Sequence, residues 1–232
     1  MPVLPTLAST ALASTALADP VTAAGFVRAQ TALRPVPMVP EIRLHLAADA
    51  FELWERTETQ AGRREQPPPF WAFAWPGGLA LARYLLDHPA EVAGRSVLDL
   101  GAGSGLAAIA AALAGAGPVL ASEVDPLAHA AIGLNGAANG VEVAVRGDVL
   151  GGTGEDADVV LAGDIWYERE LASRTAGLLT RAAGRGARVI AADIGRAFLP
   201  RGLFRELASY QVPVIADLED ADVKLVRVLT LV

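Results

Sequence analysis

The run Val97-Leu98-Asp99-Leu100-Gly101-Ala102-Gly103-Ser104-Gly105 decides the fold. Its apolar start reads as a buried strand ending on a carboxylate, and the alternating glycines turn the chain into the apolar helix that follows. Glycine lets a backbone approach a ligand and take turns that a Cβ blocks, while the helix aims its N-terminal amides at whatever is bound. A second apolar run, Val119-Leu120-Ala121-Ser122-Glu123, ends on another acid roughly twenty residues on, the separation at which a βαβ unit brings a carboxylate to a ribose.

The glycine spacing narrows the ligand. The dinucleotide fingerprint G-x-G-x-x-G would need a third glycine at position 106, where Leu106 stands. The chain has acid-x-G-x-G-x-G instead, with Asp99 two residues before Gly101. This pattern resembles motif I of the class I, seven-strand methyltransferases. The resemblance implies S-adenosylmethionine as cofactor, held by the loop of Asp99, Gly101 and Gly103, with Glu123 accepting both ribose hydroxyls.

Other templates fail. A nucleophile elbow around Ser104 needs glycine at 102 and 106, where Ala102 and Leu106 stand, and no P-loop pattern occurs. His45, His88 and His129 are far apart and there is no cysteine, so no metal site is expected.

The chain of 232 residues is 53% hydrophobic and 19% charged, enough for one α/β domain with a full core. Its net charge of −7 argues against a nucleic-acid partner, which needs clustered Lys and Arg, and favours a cationic substrate. Absence of cysteine fits a reducing cytoplasm. The uncharged stretch between Asp99 and Glu123 is broken by Gly101, Gly103, Gly105, Gly115, Gly117 and Pro118, so it is read as strand, helix and strand rather than a membrane span.

Leu7-Ala8-Ser9-Thr10-Ala11 repeats as Leu12-Ala13-Ser14-Thr15-Ala16. Residues 1–20 are therefore expected to be a low-complexity, disordered extension; they lack the basic start and compact apolar run of a secretory signal. Residues 21–66 read as an N-terminal segment packing on the core: a helix over 21–34, an extended proline-rich stretch, a strand over 41–46 and a helix over 48–58. The main domain is expected over 67–232.

Beyond it the reading is strand 95–100, helix 104–116, strand 118–124, helix 126–139, strands 141–147 and 157–163, helix 168–183, strand 187–193, helix 201–208 and closing strands near 211–217 and 224–231. This alternation predicts a doubly wound, mostly parallel seven-stranded α/β sheet. The closing pair without an intervening helix resembles the antiparallel methyltransferase hairpin, order 3-2-1-4-5-7-6. Pro213 places the first strand of that pair at the sheet edge, where a missing amide is tolerated.

Pro67-Pro68-Pro69-Phe70-Trp71-Ala72-Phe73-Ala74-Trp75-Pro76 is stiff and aromatic. Aromatic faces attract cations by roughly 0.5–2 kcal/mol, so Trp75, directly before a glycine turn and a helix, is a candidate for the sulfonium end of the cofactor. Asp148, after the third strand, matches the superfamily position facing the adenine amino group.

Gly163-Asp164-Ile165-Trp166-Tyr167 closes the fourth strand, at the end of the sheet where ligands bind. An acid and a tyrosine three apart there resemble the [DE]-x-x-[YF] motif of the lysine methyltransferase branch. Asp164 and Tyr167 are the catalytic candidates. Asp164 is suited to holding a substrate ammonium and taking its proton, since a charged lysine cannot attack. Tyr167 and Trp166 are expected to wall the lysine stem.

Together with Pro40-Glu41-Ile42-Arg43-Leu44-His45-Leu46-Ala47 and Asp193-Ile194-Gly195-Arg196, these segments resemble the bacterial relatives of the electron-transfer flavoprotein beta-subunit lysine methyltransferases over about residues 25–232. The resemblance implies a protein substrate, the flavoprotein beta subunit, with Arg196 contacting it. Ile194 departs from the family's Asp-Pro-Gly-Arg. The rival readings are a ribosomal-protein lysine methyltransferase, which resembles the chain in motif I and in Asn135…Asn139-Gly140 but carries a separate N-terminal domain and an asparagine-type fourth-strand motif, and a non-catalytic cofactor-binding module.

Overall fold

The computed structural model describes residue 17 and residues 19–61, 67–152, 156–214 and 222–232. The elements run α1 (Pro20–Gln30), β1 (Ala32–Val36), β2 (Val39–Leu46), α2 (Ala50–Ala61), α3 (Pro76–Asp87), β3 (Val97–Leu100), α4 (Leu106–Leu113), β4 (Val119–Ser122), α5 (Pro126–Ala138), β5 (Ala144–Arg146), β6 (Val159–Gly163), α6 (Arg169–Gly184), β7 (Arg188–Asp193), β8 (Phe204–Pro213) and β9 (Val223–Leu231). Of the extension expected at 1–20, residues 1–16 and 18 lie outside the described residues.

Seven strands form one sheet in the order β5-β4-β3-β6-β7-β9-β8. Counted within that sheet alone, this is 3-2-1-4-5-7-6, as expected. The pairs from β5 through β7 are parallel, while β7–β9 and β8–β9 are antiparallel. Strand side chains alternate between faces, and burial follows that alternation. Val97, Val159, Leu161 and Ile190 join α3 and α4 in one core. Leu98, Leu100, Val160, Ala162, Val189 and Ala191 join α6 in the other. Both faces are covered, so the central strands read as continuous apolar runs.

The proline-rich stretch is part of an antiparallel hairpin, β1 against β2. Val36, Val39, Ile42 and Leu44 of this hairpin belong to the same core as α3 and α4. The predicted first helix is correspondingly shorter, ending at Gln30. Asp19 caps it by accepting the Thr22 amide at 2.8 Å, which satisfies an otherwise orphaned donor.

One element differs in kind. The helix expected at 201–208 is a single 3₁₀ turn over Arg201–Leu203 followed by strand β8. A bulge between Glu206 and Ala208 breaks the alternation, leaving Phe204, Leu207 and Ala208 half-buried. A bulged strand thereby imitates the i, i+3, i+4 spacing of a helix. Strand β8 pairs only with β9 and carries Pro213 at the sheet edge. Among the described residues, no helix is long and apolar enough to cross a membrane.

Candidate active site

The glycine loop between β3 and α4 takes left-handed backbone conformations at Gly101 (φ 61°), Gly103 (φ 52°) and Gly105 (φ 80°). A side chain at any of these would be strained, and at Gly105 its Cβ would press on Ile132 of α5 at 3.2 Å. A Cβ at Gly103 would meet only the Phe70 carbonyl, at 3.8 Å. The loop is backed by α5 and open toward the Phe70 segment.

Two acids fix this loop. Glu123, directly after β4, accepts the Gly103 amide at 2.9 Å through Oε2 and the Val124 amide at 2.6 Å through Oε1. Its half-buried carboxylate and the glycine loop are therefore brought together as expected. Asp99 is placed differently from a cofactor-contacting residue. It shares the β3 face of Val97, is 2% exposed, and accepts the Ala108 amide of α4 at 3.1 Å. Burial pushes its carboxyl up to about 7, against the pull of the Ala108 amide. Asp99 shapes the loop from behind rather than facing the cleft.

Asp148 lies on the rim after β5. Its Oδ1 accepts the Leu150 amide at 2.8 Å, and its Oδ2 pairs with Arg174 of α6 at 2.5 Å. Burial raises its carboxyl, but the Arg174 guanidinium and the Leu150 amide outweigh this and hold it below the usual carboxylate range. Arg174 sits 26 positions away on another element, and no local pattern signals the pairing.

The aromatic segment divides between core and cleft. Trp71 is 1% exposed and packs with Phe73 and Leu53. The Trp75 indole donates to the Phe70 carbonyl at 2.8 Å, and the two rings meet edge-on at 5.5 Å. Phe70 in turn lies 5.8 Å from the ring of Tyr167, which is 41% exposed. Phe70 thus links Trp75 to Tyr167, a role that its position among prolines did not single out. Burial pushes the Tyr167 hydroxyl up to about 12.

Trp166 does not join them. It is fully buried in the α6-side core, with its ring edge-on to Phe204 at 5.7 Å. Its expected role as a wall for a lysine stem is corrected: in the turn after β6, Trp166 packs with Ile165 into the α6-side core.

Asp164 follows β6 with a left-handed backbone, φ 54°, uncommon outside glycine but tolerated by Asp. Its Oδ2 accepts the Gly77 and Gly78 amides at 2.5 and 3.3 Å, closing the N-terminus of α3. Its Oδ1 is buried and has no hydrogen-bond partner among the described residues. Burial raises the carboxyl to about 6, opposed first by Arg196 and then by the two glycine amides, while Asp193 adds to the rise. Ile165 lies against Gly101, where a Cβ would meet its Cδ1 at 3.1 Å, so the Asp164 turn and the glycine loop are neighbours.

Arg196 is half-buried between two acids, 3.5 Å from Asp164 Oδ1 and 3.8 Å from Asp193 Oδ2. Asp193, 1% exposed at the end of β7, accepts the Gly195 and Arg196 amides at 2.6 and 2.5 Å. Arg196 is expected to contact substrate, but its guanidinium lies against Asp164 and Asp193, where it partly offsets the burial that raises the Asp164 carboxyl. Among the described residues, no group of three or more His, Cys, Asp or Glu side chains is placed to hold a metal ion.

Comparison with known proteins bears on this arrangement. The family model for ribosomal protein L11 methyltransferase (PrmA) matches residues 81–166. The electron transfer flavoprotein beta subunit lysine methyltransferase of Danio rerio is 40% identical over 185 residues, covering 76% of this chain and 70% of the relative. The chain belongs to the electron transfer flavoprotein beta subunit lysine methyltransferase family. The family member of Mus musculus is 40% identical over 163 residues, covering 68% of this chain but only 62% of its own length. Among solved structures, TrmN from Thermus thermophilus matches with a TM-score of 0.52 at 22% identity over 73% of this chain and 55% of its own, which shows the fold.

Proposed function

We propose that this family member transfers a methyl group from S-adenosylmethionine to lysine side chains of a protein, and that the protein is the electron transfer flavoprotein beta subunit. The observation that carries the chemistry is the Asp164 carboxylate: one oxygen is fixed by two backbone amides, and the other is buried 3.5 Å from the Arg196 guanidinium with no hydrogen bond among the described residues. The names of the relatives support the substrate.

The residues present fit the cofactor. Gly103 is left-handed with its Cβ position open, and the Glu123 carboxylate reaches the same loop. In this reading the backbone of Gly101 and Gly103, together with Glu123, holds the cofactor; Asp148 stands at the adenine end and Trp75 at the sulfonium end. When bound, S-adenosylmethionine supplies a methyl group activated by positive charge.

The chain's own residues do the rest. Asp164 Oδ1 accepts an N–H of the incoming lysine ammonium, orients the nitrogen, and takes up or relays its proton, leaving the lone pair free. Its carboxyl near 6 is mostly ionised at neutral pH yet basic enough to receive a proton. Tyr167 and Phe70 flank the aliphatic stem and attract the cationic head through their ring faces. A cytoplasmic setting accords with a chain that has no cysteine.

The experiment is incubation with methyl-labelled S-adenosylmethionine and either the flavoprotein beta subunit or ribosomal protein L11. Label on lysines of the flavoprotein subunit is expected. Label on L11 alone, or on neither, contradicts the reading.

A further inference from the structure

Asn135 on α5 and Asn139, the residue that caps its C-terminus, lie four residues apart, about one helical turn. Four residues of helix rise about 6 Å, close to the roughly 6.6–6.8 Å between alternate residues of a strand. The two amides use that match against the edge of β2. Asn139 Oδ1 accepts the Arg43 amide at 2.9 Å and its Nδ2 donates to the Arg43 carbonyl at 2.7 Å. Asn135 Oδ1 accepts the His45 amide at 2.7 Å. Side-chain amides thus take the place of a neighbouring strand.

Asn135 does more than close an edge. Its Nδ2 donates to the Ser104 carbonyl at 2.8 Å, in the glycine loop, between the left-handed Gly103 and Gly105. Asn135 is fully buried, so each of these bonds lacks competition from water. A single side chain joins the back of the cofactor loop to the backbone of the N-terminal hairpin, 31 and 90 positions away in sequence.

We propose that Asn135 is a positioning residue that couples the docking of the N-terminal hairpin to the shape of the cofactor loop. The inference rests on the reading of the glycine loop as the S-adenosylmethionine site. Glu123 restrains the loop at Gly103 and Asn135 restrains it at Ser104, one residue on. With both ends of the Gly103–Ser104 unit tied, the amide of Gly103 keeps one direction. Coupling is reciprocal: whatever stiffens the loop tightens the hairpin.

Asn135→Asp is the selective variant, because it keeps an acceptor for the His45 amide and sets an oxygen against the Ser104 carbonyl. S-adenosylhomocysteine binding, measured by calorimetry, is expected to weaken about tenfold, a usual size for coupled sites. Val189→Ala, a cavity in the opposite core, serves as the control for general loss of stability and is expected to bind within about twofold of the parent, as distant sites act independently. Hydrogen exchange on the unmodified chain gives a second arm that stands even where Asn135→Asp fails to fold. Added S-adenosylhomocysteine is expected to slow exchange of the His45 amide. Unchanged affinity in Asn135→Asp, or a His45 amide indifferent to the ligand, overturns the inference. Failure of the unmodified chain to bind the ligand overturns instead the cofactor reading on which it rests.

Discussion

Asp164 and Gly77 are matched at the level of single atoms. The Gly77 amide donates to Asp164 Oδ2 at 2.5 Å, and a Cβ on Gly77 would stand 2.6 Å from that oxygen and 2.7 Å from the Ala192 carbonyl. The start of α3 and the end of β6 approach so closely that only glycine fits. Gly77→Ala is therefore expected to destabilise the fold by about 1–3 kcal/mol through overpacking. Gly25→Ala, on α1 with nothing within 4 Å of its Cβ position, is expected to add about 0.5–1 kcal/mol. Urea midpoints of the two variants check the contrast, and a Gly77→Ala chain as stable as the parent contradicts it.

In the proposed function Glu123 takes the ribose hydroxyls of the cofactor. Glu123→Ala is expected to weaken S-adenosylhomocysteine binding by about 1.5–3 kcal/mol through lost charge-assisted hydrogen bonds. Calorimetry decides it. An unaltered Kd would remove Glu123 from the site.

Asp99 gives the fold a pH signature. Its carboxyl lies near 7 when folded, against 3.8 for the free group, so between those values the folded chain holds a proton that the unfolded chain releases. The stability it contributes is complete below pH 4 and is lost as pH rises through 7. Asp99→Asn imitates the protonated group at every pH. Its melting temperature relative to the parent is expected to rise between pH 5 and pH 8, and a difference that stays constant over that interval would contradict the assignment.

Trp166 and Tyr167 are adjacent in sequence and opposite in environment. Trp166→Ala empties a fully buried site and is expected to cost about 3–5 kcal/mol of stability. Tyr167→Phe, at an exposed position, is expected to stay within about 0.5 kcal/mol of the parent. Denaturant unfolding compares them. A stable Trp166→Ala chain with weakened substrate binding would restore Trp166 to the substrate wall.

What was legible in the sequence followed from local signals. The glycine spacing after Asp99 and the acid at Glu123 carried the resemblance that implied the strand order, and the proline at 213 marked the sheet edge. What was not legible depends on partners distant along the chain. Arg174 takes Asp148, Arg196 turns in toward Asp193, and Trp166 meets Phe204 because of how α6 and β8 come to rest. The misread helix at 201–208 has the same origin, a bulge whose spacing mimics helical periodicity until β9 is seen beside it.

In the proposed function Asp164 serves chemistry rather than cofactor binding. The decisive measurement is the Asp164→Asn variant assayed twice, for S-adenosylhomocysteine affinity by calorimetry and for lysine methylation of the flavoprotein beta subunit by mass spectrometry. Affinity is expected to remain within about twofold while turnover falls roughly 100-fold, as for loss of a general acid–base group. Full turnover in the variant, or methyl groups found on residues other than lysine, would contradict the account.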